Sequence, residues 1–485
     1  MGKRRRPPLL SARDRHLVGR FSYGVTPSLA KQVRRAGGAE AWFDAQLAPA
    51  SITDRKADGL EEWWTGLGLD ALELWQRHVD QVEGGWEVMA DYARWCLMRR
   101  ITSRRQVLEV MTEFWENHFN VPVDGSATFV WRTDYGRQIR KHALGSLEDL
   151  LAATVLHPAM LIYLNNALSR ADKGRIPNEN LGRELLELHT VGRRAGYTED
   201  EVKDSARILT GWAVDQWNTW APSYRPEWHW TGPVSVLGFS DANAAPDGQQ
   251  VTRRYLRHLA HHPDTAYRIA RKLCVKFIGD APSEGLVQRL AGVYLSHKTE
   301  IRPVLRALVR TDEFRVSRGA KLRDPCEDLV ATYRLLGAKA RRPTSEQSAA
   351  NAMLWQASSL GTRPFGWPRP DGQPLDNDSW SSPARMLGSM QVHYAMAGGW
   401  WPTVDVRHRS PRGWTGRLPV RFGTLVDSMS HRILHRPASP ALLDACCTAV
   451  DCTPSERITE EHALVRWQFP RLLTVFLDCP DFYER

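Results

Sequence analysis

The 485-residue chain contains no run of about 18 apolar residues, so no transmembrane helix is expected. It also lacks a G-x-S-x-G elbow, a catalytic-cysteine signature, a Walker-type phosphate loop and a G-x-G-x-x-G dinucleotide turn. Those absences leave no recognisable serine or cysteine nucleophile and no nucleotide site, and no other motif indicates a cofactor. Zinc-finger, helix-turn-helix and RNP patterns are missing too, so no motif supports nucleic-acid binding. Cysteine is scarce and odd in number, seven in all, with no C-x-x-C pair. A disulfide framework is not expected, and a reduced compartment is the simpler reading. Cys446, Cys447 and Cys452 cluster in sequence, but no histidine stands at ligand spacing, which argues against a soft-metal site.

The N-terminus "MGKRRRPPLL" is basic, and no apolar stretch of signal-peptide length follows it. Arg6 stands where a myristoylation signal needs Ser or Thr. Residues 1–10 are therefore expected to be a basic disordered extension. The expected location is cytoplasmic, with export alongside a partner as the alternative.

What is present is mostly helical texture. Apolar residues recur at three- and four-residue steps in "RRQVLEVMTEFWENHFNV", "TEDEVKDSARILTGWAV" and "HPDTAYRIARKLCVKFIG", among others. The fold class expected is mainly α, a large multi-helix protein with little β. Pro158 and Pro263 suit first helical positions, and Thr198 followed by Glu199 and Glu201 suits a helix start. Alternating strand patterns are few; "PVSVLGF" is the best short candidate. Two long segments rich in Trp, Pro and Gly break the pattern, one at 216–249 and one at 358–383. Residues 11–485 read as one domain, with two tightly packed helical subdomains (about 11–215 and 250–485) joined through the 216–249 loop as the finer division. The net charge of +10 suits an acidic partner such as nucleic acid, an anionic glycan or a membrane surface; an Arg-rich composition spread over the chain gives the same number.

The densest chemistry lies in "NENLGRELLELHTVG", read as a helix opened by Asn178. On a wheel of 100° per residue, Asn180, Arg183, Glu184 and Glu187 share one arc and Leu181, Leu185 and Leu188 the next. The stripe is either a solvated face with an Arg183–Glu187 pair or one wall of a site. His189 falls away from the carboxylates, beside Leu185 and Leu186. A second helix carries Glu113, Glu116, Asn117 and Asn120 on one face and Phe114, His118 and Val121 on another. His118 is either a satisfied core histidine or a partner of Glu184 or Glu187. Glu184 and Glu187 are the acid–base candidates, and His118 or His189 would shuttle a proton. His118, Glu184 and His189 are also the candidate metal ligands, although Glu187 replaces the His of a Glu-x-x-His pair. Arg183, Asn117, Asn178 and Asn180 would bind substrate. Lys272, in "ARKLCVKF", either snorkels to the surface or serves an anionic ligand. Asp371 and Trp380 in the second long segment, with Arg207, Trp212 and His229 around the first, complete the candidate binding set; aromatic faces beside Arg and acids suit carbohydrate.

Six segments, "RHLVGRFSYGVTP", "EFWENHFNV", "NENLGRELLELHTVG", "YTEDEVKDSARILTGW", "HHPDTAYRIARKLCVKF" and "RPDGQPLDNDSW", occur in the order of similar blocks in a large bacterial family. The chain resembles the domain of unknown function 1800 family from about Ser11 to its end. The resemblance implies a mostly helical fold. It also implies a neighbour, a sulfatase-like protein of the domain of unknown function 1501 family that commonly carries a twin-arginine export signal. Its motif positions fall on His118, Asn178, Glu179, Asn180, Arg183, Glu184, Glu187, His189, Arg207, Trp212, His229 and Lys272. Two blocks depart from the family pattern: Ser235 replaces a lysine, and Gln373 replaces an aromatic. The residues point first to an acid–base enzyme on a polar or anionic, glycan-type substrate; the resemblance adds, as an alternative, a non-catalytic partner or export escort of the sulfatase-like protein, and a metal-dependent hydrolase or oxidoreductase is the third reading.

Overall fold

Apolar residues at steps of three and four reach one face only on a helix, and helices cover 59% of the chain against 5% for strands. The chain is mainly α. The computed structural model describes residues 8–123 and 127–485. The helices that build the site and its support are α1 (Ala12–Arg20), α2 (Gly85–Thr102), α3 (Gln106–His118) and α4 (Phe129–His142). They are followed by α5 (Asn180–Glu184), α6 (Glu199–Ile208), α7 (Pro263–Phe277), α8 (Pro325–Leu336), α9 (Pro383–Gly398) and α10 (Phe469–Leu477). α2 packs on α4 and α8, α3 on α4, α5 on α6, and α9 on α8 and α10.

Local chemistry explains the boundaries. Thr198 caps α6 through the Glu201 N–H, and Glu201 returns to the Thr198 N–H. Pro158 and Pro263 each open a helix, where the missing N–H costs nothing. One contiguous apolar cluster runs from Leu10 to Phe482, and Cys274 is fully buried within it. Residues 1–7 of the basic N-terminal stretch lie outside the described residues. Leu10 is buried, and its N–H donates to Nε2 of His435 at 2.9 Å.

The core also holds ion pairs. Arg132 meets Glu116 at 3.0 Å with side chains 0% and 1% exposed, and Arg100 meets Glu113 at 3.1 Å. Such pairs add little net stability, but removing one partner strands a buried charge at a cost of about 3–5 kcal/mol. The polar face read on α3 is thus buried at Glu113 and Glu116.

The 216–249 segment is less irregular than its composition suggests. β1 (Trp212–Val214) pairs antiparallel with β2 (Pro222–Tyr224), and β3 (Val234–Val236) with β4 (Phe239–Asp241). β3 lies within the one strand candidate. The strands among the described residues are two or three residues long, too short to display a sustained alternation. Among the described residues, no helix is long and apolar enough to cross a membrane.

Candidate functional site

α3 and α7 meet where His118 and Lys272 touch. The Lys272 Nζ lies 3.0 Å from His118 Nδ1. His118 Nε2 is 3.0 Å from the His189 carbonyl, and His189 Nδ1 is 3.2 Å from the His118 carbonyl. A carbonyl only accepts, so His118 carries its proton on Nε2 and His189 on Nδ1. Nδ1 of His118 is therefore a lone-pair acceptor, and Lys272 donates to it. Both imidazoles are buried, and burial is the main reason that His118 is held far below the usual histidine range and His189 at about 3. They are neutral rings that position Lys272, and the one lone pair of His118 is taken.

His189 reaches this position through a change in helix type. After α5 the backbone runs as a π turn over Leu185–His189, and the Thr190 hydroxyl donates to the Leu185 carbonyl at 2.6 Å. A π turn has more residues per turn than an α-helix, so the 100° wheel fails past Glu184. The expected Arg183–Glu187 pair does not form. Arg183 turns to Glu199 at 2.6 Å and Glu179 at 3.1 Å, while Glu187 meets Arg193 at 2.7 Å and the Tyr197 hydroxyl at 3.5 Å. The first helical turn also begins later than expected. Glu179 is the N-cap, and Asn178 accepts the Asn180 N–H at 2.9 Å. Asn180 itself is exposed. Gly182 is required by packing: a Cβ there would stand 2.7 Å from the Ala206 nitrogen on α6.

The second long segment closes over this region and stays irregular. Asn117 holds it at Gln373, donating from Nδ2 to the carbonyl at 2.8 Å and accepting the Gln373 N–H at 2.6 Å. Asn120 donates to the carbonyls of Trp367 and Arg369 at 2.9 and 2.8 Å, and the Tyr163 hydroxyl to that of Pro368 at 3.1 Å. Gly372 has φ +74 and sits so close that a Cβ would be 1.9 Å from the Asn117 carbonyl oxygen. The result is a cleft of about 350 Å³ between α7 and this segment. Arg268, Arg271, Lys272, Trp367, Arg369 and Asp371 are among its lining residues.

Family membership is decided by the chain's whole length: residues 16–483 match the family described as Protein of unknown function (DUF1800). The chain belongs to this family. No curated protein and no solved structure matches it. In this DUF1800 protein, six of the expected residues converge on one region: Asn117, His118, Glu184, His189, Lys272 and Asp371.

Electrostatics distinguishes these groups. Burial, with Arg268 second, pushes the Lys272 amine down to about 7. Glu184 is raised above the usual carboxylate range by burial first, then by Glu187, with Asp371 adding to it. Glu184 and Asp371 also help burial push the Tyr163 phenol up to about 12, so the two carboxylates and Tyr163 share one neighbourhood. Among the described residues, no acid lies within 4 Å of Lys272 or Arg268, and no cation within 4 Å of Glu184. Arg268 donates Nε to the Leu188 carbonyl at 3.2 Å. Asp371 accepts from Trp367 Nε1 at 2.8 Å and pairs with Arg369 at 3.2 Å.

Other expected residues have different surroundings in the DUF1800 fold. His229 lies between the Thr210 carbonyl and Asn243 Oδ1, at 3.0 and 2.9 Å. Trp212 donates to Thr252 at 3.2 Å, and Arg207 pairs with Asp204 at 2.7 Å while covering the Trp230 ring. These three pack around the β1–β4 ribbons. Trp380 donates to the Pro374 carbonyl at 2.9 Å and so braces the cleft segment from its far end. His118 meets neither Glu184 nor Glu187; of the two readings open from the sequence, the satisfied core histidine is the one observed.

Arg268, Arg271, Asn120 and Tyr163 were not among the expected site residues. Arg268, Arg271 and Lys272 stand at i, i+3 and i+4 of one helix, a basic stripe that spacing alone could have revealed. Tyr163 had no such signal. Among the described residues, Cys452, Glu456 and His462 form a group close enough to share a metal ion. The histidine that sequence spacing did not supply is brought in by the chain's return. His462 Nδ1 accepts the Leu464 N–H at 3.1 Å, so its proton sits on Nε2 and goes to Glu456 at 2.9 Å. Both ring nitrogens are occupied by the fold.

Proposed function

We propose that the cleft is the active site of an enzyme that binds an anionic, glycan-type substrate, with Lys272 taking a proton from the substrate and Glu184, whose neighbour Asp371 lines the cleft, giving one to it. The observation that carries this reading is the Lys272–His118 contact. An amine 3.0 Å from a neutral acceptor, without a carboxylate partner and beside Arg268, is poised to be a free base near neutral pH. Glu184, unpaired and raised, holds a proton more readily than an exposed carboxylate and serves as the acid. Arg268, Arg271 and Arg369 supply the field for an anionic group, and the half-buried face of Trp367 suits a sugar ring. Glu187 contributes through its field on Glu184 rather than by contact. His118 and His189 are positioning residues.

The experiment is a thermal-shift screen of uronate- and sulfate-bearing oligosaccharides, followed by turnover of any hit. Lys272→Met and Glu184→Gln should each abolish turnover in a folded protein. Unchanged turnover in either variant would sink the acid–base assignment.

A second reading rests on a separate surface. Leu387, Met390 and Tyr394 are exposed at i, i+3 and i+7 of α9, with exposed Trp400 and Trp401 just beyond. An exposed apolar face of this kind suits a protein partner, and the sulfatase-like protein of the domain of unknown function 1501 family is the candidate. Co-purification with it, lost in Leu387→Glu, supports the reading; retention in that variant removes it.

A further inference from the structure

α1, the segment just before α8, residues 433–436 and the last residues of the chain line a second, half-open cavity of about 100 Å³. It shares no lining residue with the Lys272 cleft. Arg323 and Arg485 line it, and Arg20 stands behind them; their exposures are 5%, 8% and 0%. Each is anchored by a carbonyl: Arg20 Nη2 to Ser317 at 2.5 Å, Arg323 Nε to Phe482 at 2.8 Å, and Arg485 Nη2 to Arg20 at 3.3 Å. Other donors meet no acceptor among the described residues: Nε and Nη1 of Arg20, Nη1 of Arg323 and Nε of Arg485.

The local charge does not balance. Arg485 pairs with Glu327, which Lys276 also holds at 2.7 Å. The cavity's own acids are Asp481, which pairs with Arg436, and Glu484. Among the described residues, neither Arg20 nor Arg323 has a carboxylate within 4 Å. Burial and then the neighbouring Arg485 push Arg20 down to about 9 and Arg323 to about 10. A buried guanidinium with unmet donors is expensive unless an acceptor reaches it. The volume has room for one tetrahedral anion.

We propose that this cavity binds one small tetrahedral oxyanion, phosphate or sulfate, which bridges Arg323 and Arg485 and ties α1 to the C-terminal residues. Planar forked donors of this kind suit such an anion. Glu484 opposes it by like charge. The site acts on the stability of the seam and is independent of the cleft chemistry.

The test is thermal unfolding of the full chain in phosphate, sulfate or chloride at matched ionic strength, with phosphate affinity measured by calorimetry. Phosphate and sulfate should raise the midpoint above that in chloride. Arg323→Met should weaken phosphate binding about tenfold or more, Glu484→Gln should strengthen it, and Lys272→Met should leave it unchanged. Phosphate acting no better than chloride overturns the proposal. So does a phosphate effect that survives Arg323→Met or vanishes in Lys272→Met, which would place the anion in the cleft. If Arg323→Met does not fold, Glu484→Gln decides: unchanged affinity overturns the site.

Discussion

Lys272 donates to a histidine nitrogen, His118 Nδ1 at 3.0 Å, where a half-buried lysine would ordinarily find a carboxylate. The proton on the other nitrogen of His118 is fixed by the His189 carbonyl. This gives the amine a place without an ion-pair partner within 4 Å among the described residues; Asp371 acts on it only through its field.

The first expectation concerns pH and stability. The folded Lys272 amine titrates near 7, below its unfolded value, so between about pH 7 and pH 10 the unfolded chain binds more protons there than the folded one. Wild-type stability should therefore rise relative to Lys272→Met across that window, and the difference should be flat below it. Urea midpoints at pH 6, 7, 8 and 9.5 check this.

His393 gives the opposite slope. It lies buried between Asp328 at 2.9 Å and Asp478 at 2.7 Å. Against the cost of burial, Asp328 first and then Asp478 raise it to about 9, while His393 first and then Arg385 hold Asp328 at about 2. The histidine's contribution is complete below about pH 6.5 and is lost as pH rises through 9; that of Asp328 is complete above about pH 4 and is lost as pH falls through 2. His393→Asn should cost about 3–5 kcal/mol at pH 6 and clearly less at pH 9.5. Equal costs at the two pH values would contradict the pairing.

Asn117 should control the cleft segment. Asn117→Ala removes both bonds to Gln373 and should cost about 1–3 kcal/mol, with faster amide exchange confined to residues 367–374. Exchange unchanged there, measured by mass spectrometry, would show that Asn120 and Tyr163 hold the segment alone.

Gly372→Ala should act on the same contact by collision. With φ +74 and a Cβ 1.9 Å from the Asn117 carbonyl oxygen, the segment must move. The expected loss is at least about 1–3 kcal/mol, and combining it with Asn117→Ala should cost less than the sum. Double-mutant urea melts measure the coupling.

Glu187→Gln separates field from contact. Its partner Arg193 is largely exposed, so stability should match wild type, whereas the Glu184 carboxyl should titrate lower once the neighbouring charge is gone. Carbon-detected NMR titration of Glu184 reads that shift.

By itself the sequence determined the helical class, the capped start of α6, the proline-opened helices, the family, and six residues that do gather in one region. These follow from short-range rules, because a cap, a first-turn proline or a three-four apolar step acts over a few residues. Tertiary structure decided their partners. After the π turn over Leu185–His189, Glu187 pairs with Arg193 and His189 meets the His118 carbonyl on α3. Whether Lys272 reached solvent or turned inward depended on a helix 154 positions away along the chain, and no local period encodes such a contact. The same holds for Asn117, which spacing places on a polar face of α3 and which the 367–373 segment meets through Gln373. Backbone periodicity is written locally; the acceptor that a buried donor finds is chosen only when distant segments meet.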